Sequence, residues 1–159
     1  MENVTMIKAW ILAIVAGIGS AAVQFLGGWD VMLKVLAGFM IVDYLTGFLV
    51  AFLWHKSRKT ESGTLDSKAG AKGLARKMLI LVFVGLGAML DRLTGSDFLR
   101  DAVCLFYIGN EGLSVLENTA IMGVPYPKVI QNALEILKEK GDEGKEPDND
   151  SNSERPEQN

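Results

Sequence analysis

The chain has 159 residues, enough for one domain and not comfortably for two. Its 16 Lys and Arg residues against 19 Asp and Glu residues give a formal charge of −3, so we expect no surface that binds nucleic acid. One histidine, His55, and one cysteine, Cys104, argue against a disulfide, a Cys/His zinc site and a Ser-His-Asp triad, and we expect no metal, no cofactor and no enzymatic activity.

The first 54 residues are almost uncharged. Residues 9–54 hold three charged side chains, Asp30, Lys34 and Asp43, among 46 positions. A soluble helix or strand needs a polar face, which so apolar a stretch does not supply. As helices, residues 9–28 and 31–54 are each long enough to cross a hydrocarbon core of about 30 Å. They predict a hairpin of two membrane-spanning helices.

Small residues share one face of the first stretch. Close approach over such residues drives helix association in lipid, so this face predicts either self-association or packing against the second stretch. Its packing residues are Ala13, Gly17, Ser20, Ala21 and Gln24. A signal peptide cleaved near residues 20–22 is an alternative, but an n-region with only Lys8, offset by Glu2, argues against it.

A basic segment follows the second stretch. Residues 55–77 hold seven bases and two acids, a net charge of +5. Short loops rich in Lys and Arg stay in the cytoplasm, so we expect this loop and the N-terminus there. The bases that set this orientation are Lys56, Arg58, Lys59, Lys68, Lys72, Arg76 and Lys77.

Two further helices are predicted, over residues 76–93 and 97–124. The apolar part of the third helix is short, so its span depends on Arg76 and Lys77 extending toward the interface. Residues 94–97 end this helix and cap the next one, and Pro125 ends the fourth. We expect an all-α membrane protein with four spans and both termini in the cytoplasm; three spans is the alternative.

The C-terminal part is more polar. Residues 127–140 form an amphipathic helix that lies on the membrane surface or packs against a neighbouring helix. Residues 141–159 contain no hydrophobic residue and are expected to be a disordered acidic tail. The expected domains are therefore a membrane domain over residues 1–140 and this tail.

Polar residues in the predicted spans are candidate functional positions. Asp43 lies near the centre of the second helix with Thr46 on its face, and an ionised residue there needs a polar partner or water. The fourth helix has a polar face that lipid does not satisfy. That face consists of Tyr107, Asn110, Glu111, Ser114, Glu117 and Asn118. Both features suggest a pore-lining or assembly surface; the alternatives are a structural hydrogen bond at Asp43 and an interfacial fourth helix.

Four motifs together resemble the phage lysis and toxin-secretion holins of Gram-positive bacteria and their phages. Residues 43–47 are similar to the family pattern Asp-x-x-Thr-Gly, and residues 67–77 to Ser-Lys-x-Gly-x-Lys-Gly-x-x-Arg-Lys. Residues 110–118 resemble Asn-Glu-x-x-Ser-x-x-Glu-Asn, and residues 123–128 the closing Gly-x-Pro-x-Pro segment. The acidic tail departs from the basic C-termini usual in holins.

The resemblance implies a multi-pass protein of the host cytoplasmic membrane. Such a protein accumulates among membrane lipids, forms a homo-oligomer and opens a lesion. Through the lesion an endolysin, or in some relatives a toxin, leaves the cytoplasm, and the host cell lyses. The competing interpretations are a small ion channel or transporter and a non-conducting partner of the antiholin type.

Overall fold

The structure is a computed structural model that describes residues 2–54 and 67–143. These residues form five helices and no strand, which confirms the all-α prediction. The helices are α1 (Glu2–Phe25), α2 (Val31–Leu49, continued by a π-helical turn Val50–Trp54), α3 (Ser67–Thr94), α4 (Leu99–Ile121) and α5 (Lys128–Glu143).

Three of the described helices are long and apolar enough to cross a membrane. They cover Thr5–Phe25, Val31–Trp54 and Ser67–Thr94 and, by length and composition, agree with the predicted helical membrane protein. The polar residues of α4 keep that helix out of this group.

The prediction for the start of α3 is wrong. The helix begins at Ser67, not at residue 76, and its 28 residues exceed the length that a span requires. Lys68, Lys72 and Arg76 are therefore exposed positions on a helix instead of parts of a loop. The remaining predicted loop bases, Lys56, Arg58 and Lys59, lie outside the described residues.

A glycine turn joins α1 to α2. Gly27 and Gly28 have φ angles of 84° and 116°, in the left-handed region that side chains disfavour. Asp30 then caps α2, because its Oδ1 accepts a hydrogen bond of 2.9 Å from the backbone N–H of Leu33. Phe25 at the end of α1 packs over Gly85 of α3, whose missing side chain leaves room for the ring.

A second turn connects α3 to α4 at Gly95, whose φ angle is 72°. The carboxylate that caps α4 is Asp91 of α3, whose two oxygens each accept a 2.9 Å bond, one from the N–H of Leu99 and one from that of Arg100. The predicted cap within residues 94–97 is therefore wrong. Because Asp91 belongs to the preceding helix, it fixes the angle between two helices as well as satisfying the helix end.

The core lies between α2, α3 and α4. Leu33, Leu36 and Met40 of α2 pack there with side chains of the two other helices, namely Ile80, Val84, Cys104 and Ile108. Contacts at both ends of the bundle show that α2 and α4 run parallel and α3 runs opposite to both. Among the described residues, α1 touches this bundle only through α3 near its C-terminal end, and its other side chains are mostly exposed.

α5 folds back along α4. A side chain at Gly109 of α4 would meet the backbone of Leu134, and one at Gly141 would meet the backbone of Phe106, so the two helices are antiparallel and closely packed. α5 runs from Lys128 to Glu143, three residues past the predicted end at 140. The rest of the predicted tail, residues 144–159, lies outside the described residues.

Candidate functional site

Asp43 is the centre of a buried polar cluster between α2, α3 and α4. Its Oδ2 accepts a hydrogen bond of 2.8 Å from Nζ of Lys77 on α3. Its Oδ1 accepts bonds from two α4 side chains, from the Ser114 hydroxyl at 2.5 Å and from the Asn118 amide at 3.2 Å. Both carboxylate oxygens are thus satisfied by protein, as an ionised group at bilayer depth requires.

Lys77 also contacts a second carboxylate, that of Glu111 on α4. Exposed fractions of 3% for Asp43, 3% for Glu111 and 8% for Lys77 show that all three side chains are buried. One ammonium is therefore shared by two carboxylates that belong to different helices. Removing one partner of such a buried pair typically costs about 3–5 kcal/mol, because the other charge is left uncompensated.

Asn118 completes the cluster toward the end of α2. Besides Asp43, its amide donates to the Thr46 hydroxyl at 3.0 Å, and that hydroxyl donates to the backbone carbonyl of Asp43 at 3.1 Å. Within the described residues, no buried side-chain nitrogen or oxygen lacks a partner. Side chains of the bundle thus provide hydrogen-bond partners for the buried members of this cluster.

The structure brings five of the predicted polar residues together: Asp43, Thr46, Glu111, Ser114 and Asn118. The other three α4 positions lie elsewhere on the helix. Tyr107 packs among rings, with centroids 5.1 Å from Phe106 and 6.3 Å from Phe83. Asn110 is half-buried, and Glu117 is exposed.

Lys77 belongs to the cluster, although the sequence predicts a different role for it. The sequence places it among the bases that set orientation and extend toward the interface, whereas it is buried and points into the bundle. A signal for this role exists, since Asp43 and Glu111 both need a cation and Lys77 is the base closest to the apolar part of α3. The sequence does not show that Lys77 faces these two carboxylates. That orientation follows from the rotation of the helix that begins at Ser67.

A second ionic contact lies at the opposite end of the bundle, and its residues were not among the predicted functional positions. Arg100 at the start of α4 binds both oxygens of Asp30 with its two terminal nitrogens, at 2.6 and 3.0 Å. Its Nε donates to the carbonyl of Leu26 at 2.7 Å. The Arg100 guanidinium lowers the pKa of Asp30 to about 2. This contact ties the α1–α2 turn to α4.

The predicted packing face of α1 is exposed and is not covered by α2. Ala13, Gly17, Ser20, Ala21 and Gln24 all lie on exposed positions, and a side chain added at Gly17 would meet no atom within 4 Å. In the described residues the backbones of α1 and α2 do not pack against each other, so α2 does not cover this face.

A model of the bacteriophage holin family matches residues 20–139. An uncharacterised 14.9 kDa protein in the nagH 3′ region of Clostridium perfringens is 37% identical over 142 residues, 88% of this chain and 99% of that protein. An uncharacterised protein of Listeria innocua is 36% identical over 138 residues, 86% of this chain and 93% of that protein. A probable holin of Bacillus phage phi105 is 34% identical over 109 residues, 68% of this chain and 75% of that protein.

No solved structure matches the chain. The four motifs that resemble holins all fall inside the matched residues 20–139, so the resemblance is confirmed. Together with the three apolar helices, the match indicates a membrane protein with a role of the holin type. The chain belongs to the bacteriophage holin family.

Proposed function

We propose that this protein is a holin of the host cytoplasmic membrane. It accumulates there as a multi-pass protein, assembles into homo-oligomers and opens a lesion through which an endolysin or another exported protein leaves the cell. The observation that carries the proposal is the family match over residues 20–139. The N-terminus and the end of α4 lie in the cytoplasm, with α4 as a fourth span whose residues Glu111 and Asn118 are covered by protein.

The polar cluster fits the assembly part of this proposal. With most of the polar face of α4 turned into the bundle, its buried groups have protein partners before the subunits assemble. Contacts between subunits then depend on surfaces outside the cluster, and increasing density in the membrane favours them by mass action. Asp43 and its partners act in this scheme by holding α4 in place.

The exposed face of α1 supports self-association. An apolar helix with small residues on one side offers neighbouring copies a close approach, which is the main source of helix association energy in lipid. Disulfide cross-linking tests this step in a Cys104→Ser background. Gly17→Cys on the small-residue face should cross-link under mild oxidation, whereas Val15→Cys on the opposite face should not; equal cross-linking at both positions would contradict the assignment.

The whole proposal is tested by induced expression in a bacterium that also makes an endolysin in its cytoplasm. We expect abrupt lysis with the active endolysin, and loss of viability without lysis when the endolysin carries an inactivating substitution. Ion flux without release of protein would instead support a channel. No effect on viability would support a non-conducting partner of the antiholin type.

A further inference from the structure

α5 lies at the depth of the spanning helices, although its composition does not suit lipid. Leu134 of α5 lies against Gly109 and Gly112 of α4, next to Glu111, and Glu111 meets the same Lys77 that binds Asp43. Asp43 is near the middle of the span Val31–Trp54. Leu134 is therefore close to the level of the bilayer centre, and the antiparallel helix extends in both directions from there.

α5 has three different sides along its 16 residues. One side packs on α4 through Leu134 and Lys138, with the Lys138 ammonium 5.8 Å from the centroid of the Phe106 ring. A second side is exposed and carries the apolar residues Val129, at 77%, and Ile136, at 51%, with Lys140 and Glu143 at its C-terminal end. The third side is polar and exposed, and consists of Lys128, Asn132, Glu135, Glu139 and Asp142.

Hydrocarbon satisfies the apolar side of α5 but not the polar side. Charged groups at this depth are found facing a water-filled cavity or other protein. In the described residues α5 packs against α4 alone, so no other described helix of the same subunit covers the polar side. A helix that meets protein, lipid and water on three sides is the arrangement expected at the edge of a water-filled opening.

We infer that the polar side of α5 faces the water of the lesion, while its apolar side contacts lipid and its third side holds it on α4. This inference rests on the proposed function and assigns the lining to α5 instead of the α4 face that the sequence suggests, since most of that face is turned into the bundle. Three acids and one base on the polar side make it acidic, so the lesion attracts cations.

The test is spin labelling in liposomes made leaky by the protein. Single cysteines are introduced in a Cys104→Ser background at Asn132 and Glu139 on the polar side, and at Val129 and Ile136 on the apolar side. A nitroxide at each position reports access to oxygen, which concentrates in lipid, and to a water-soluble nickel complex. Ser96→Cys in the exposed α3–α4 turn is the surface reference.

We expect the Ile136 nitroxide deep in the hydrocarbon and accessible to oxygen, and the Asn132 and Glu139 nitroxides accessible to nickel. If the apolar labels lie within about 5–10 Å of the headgroups, as for a surface helix, the inference is overturned. It is also overturned if neither reagent reaches Asn132 and Glu139, because protein then covers them. In either case, dextran release from the same liposomes would still support the proposed function. If the unmodified chain releases no dextran, both the proposed function and this inference are overturned.

Discussion

Lys77 of α3 and Asp43 of α2 are 34 positions apart in the sequence and are joined by a 2.8 Å bond between Nζ and Oδ2. Because the same ammonium contacts Glu111 of α4, one side chain links the three helices of the core. In lipid the apolar surfaces of helices do not drive association, so a bond of this kind specifies which helix lies beside which. The fold therefore depends on a base that composition alone assigns to the membrane surface.

Replacing Lys77 by Met should destabilise the bundle strongly. Two buried carboxylates lose their cation, and we expect the free energy of unfolding in detergent micelles to fall by about 3–5 kcal/mol. Lys72→Met is the matched control, because Lys72 is exposed on the same helix, and it should change this free energy by less than about 0.5 kcal/mol. Adding Glu111→Gln to Lys77→Met should restore part of the loss. Equal effects of the two lysine substitutions would contradict the role of Lys77.

Asn118→Leu should abolish permeabilisation and leave insertion intact. The leucine removes donors to Asp43 and Thr46, a loss of about 1–3 kcal/mol, and α4 is then poorly held in the bundle. Release of dye from liposomes and recovery in the membrane fraction measure the two properties. Ala120→Leu, at an exposed position of the same helix, should retain dye release. Normal leakage by the Asn118 variant would argue against an assembly role for the cluster.

The ion pair between Asp30 and Arg100 predicts a pH dependence. Since the pKa of Asp30 falls from 3.8 to about 2 on folding, its contribution to stability is present above about pH 4 and is lost as the pH falls toward 2. The difference in unfolding free energy between the unmodified chain and Asp30→Asn should be constant from about pH 7 to 5 and shrink below about pH 4. In an Arg100→Gln background the same difference should be small at every pH; a difference that persists there would place its origin outside the pair.

Two glycines of α4 should respond differently to alanine. At Gly109 the new methyl would meet the backbone of Leu134, which does not move away, so we expect a loss of about 1–3 kcal/mol and faster hydrogen exchange of the α5 amides. At Gly112 it would meet the end of the Leu134 side chain, which adopts another rotamer at lower cost. Gly38→Ala on α2, where the added methyl meets no atom within 4 Å, is the control. Equal exchange in the Gly109 and Gly112 variants would show that α5 is not held closely on α4.

Several features of the fold were predictable because they follow from local composition. The apolar stretches and the amphipathic pattern after Pro127 both depend on residues close together in the chain. The start of α3 was not predictable in this way. Residues 67–77 are polar enough to be a loop. They are nevertheless helical, and within this helix Lys77 contacts two carboxylates of other helices.

The sequence by itself determined that this chain is a helical membrane protein of the holin family, since hydrophobic length and short motifs are properties of the linear chain. Tertiary structure decided which polar residues meet. Lys77 is 34 positions from Asp43 and 34 positions from Glu111, and only the packing angles of three helices bring its ammonium into contact with both carboxylates. The same packing turns most of the polar face of α4 inward and leaves the polar side of α5 exposed. The physical reason is that a helix covers only one side of its neighbour, and all contacts of a helix together set its rotation.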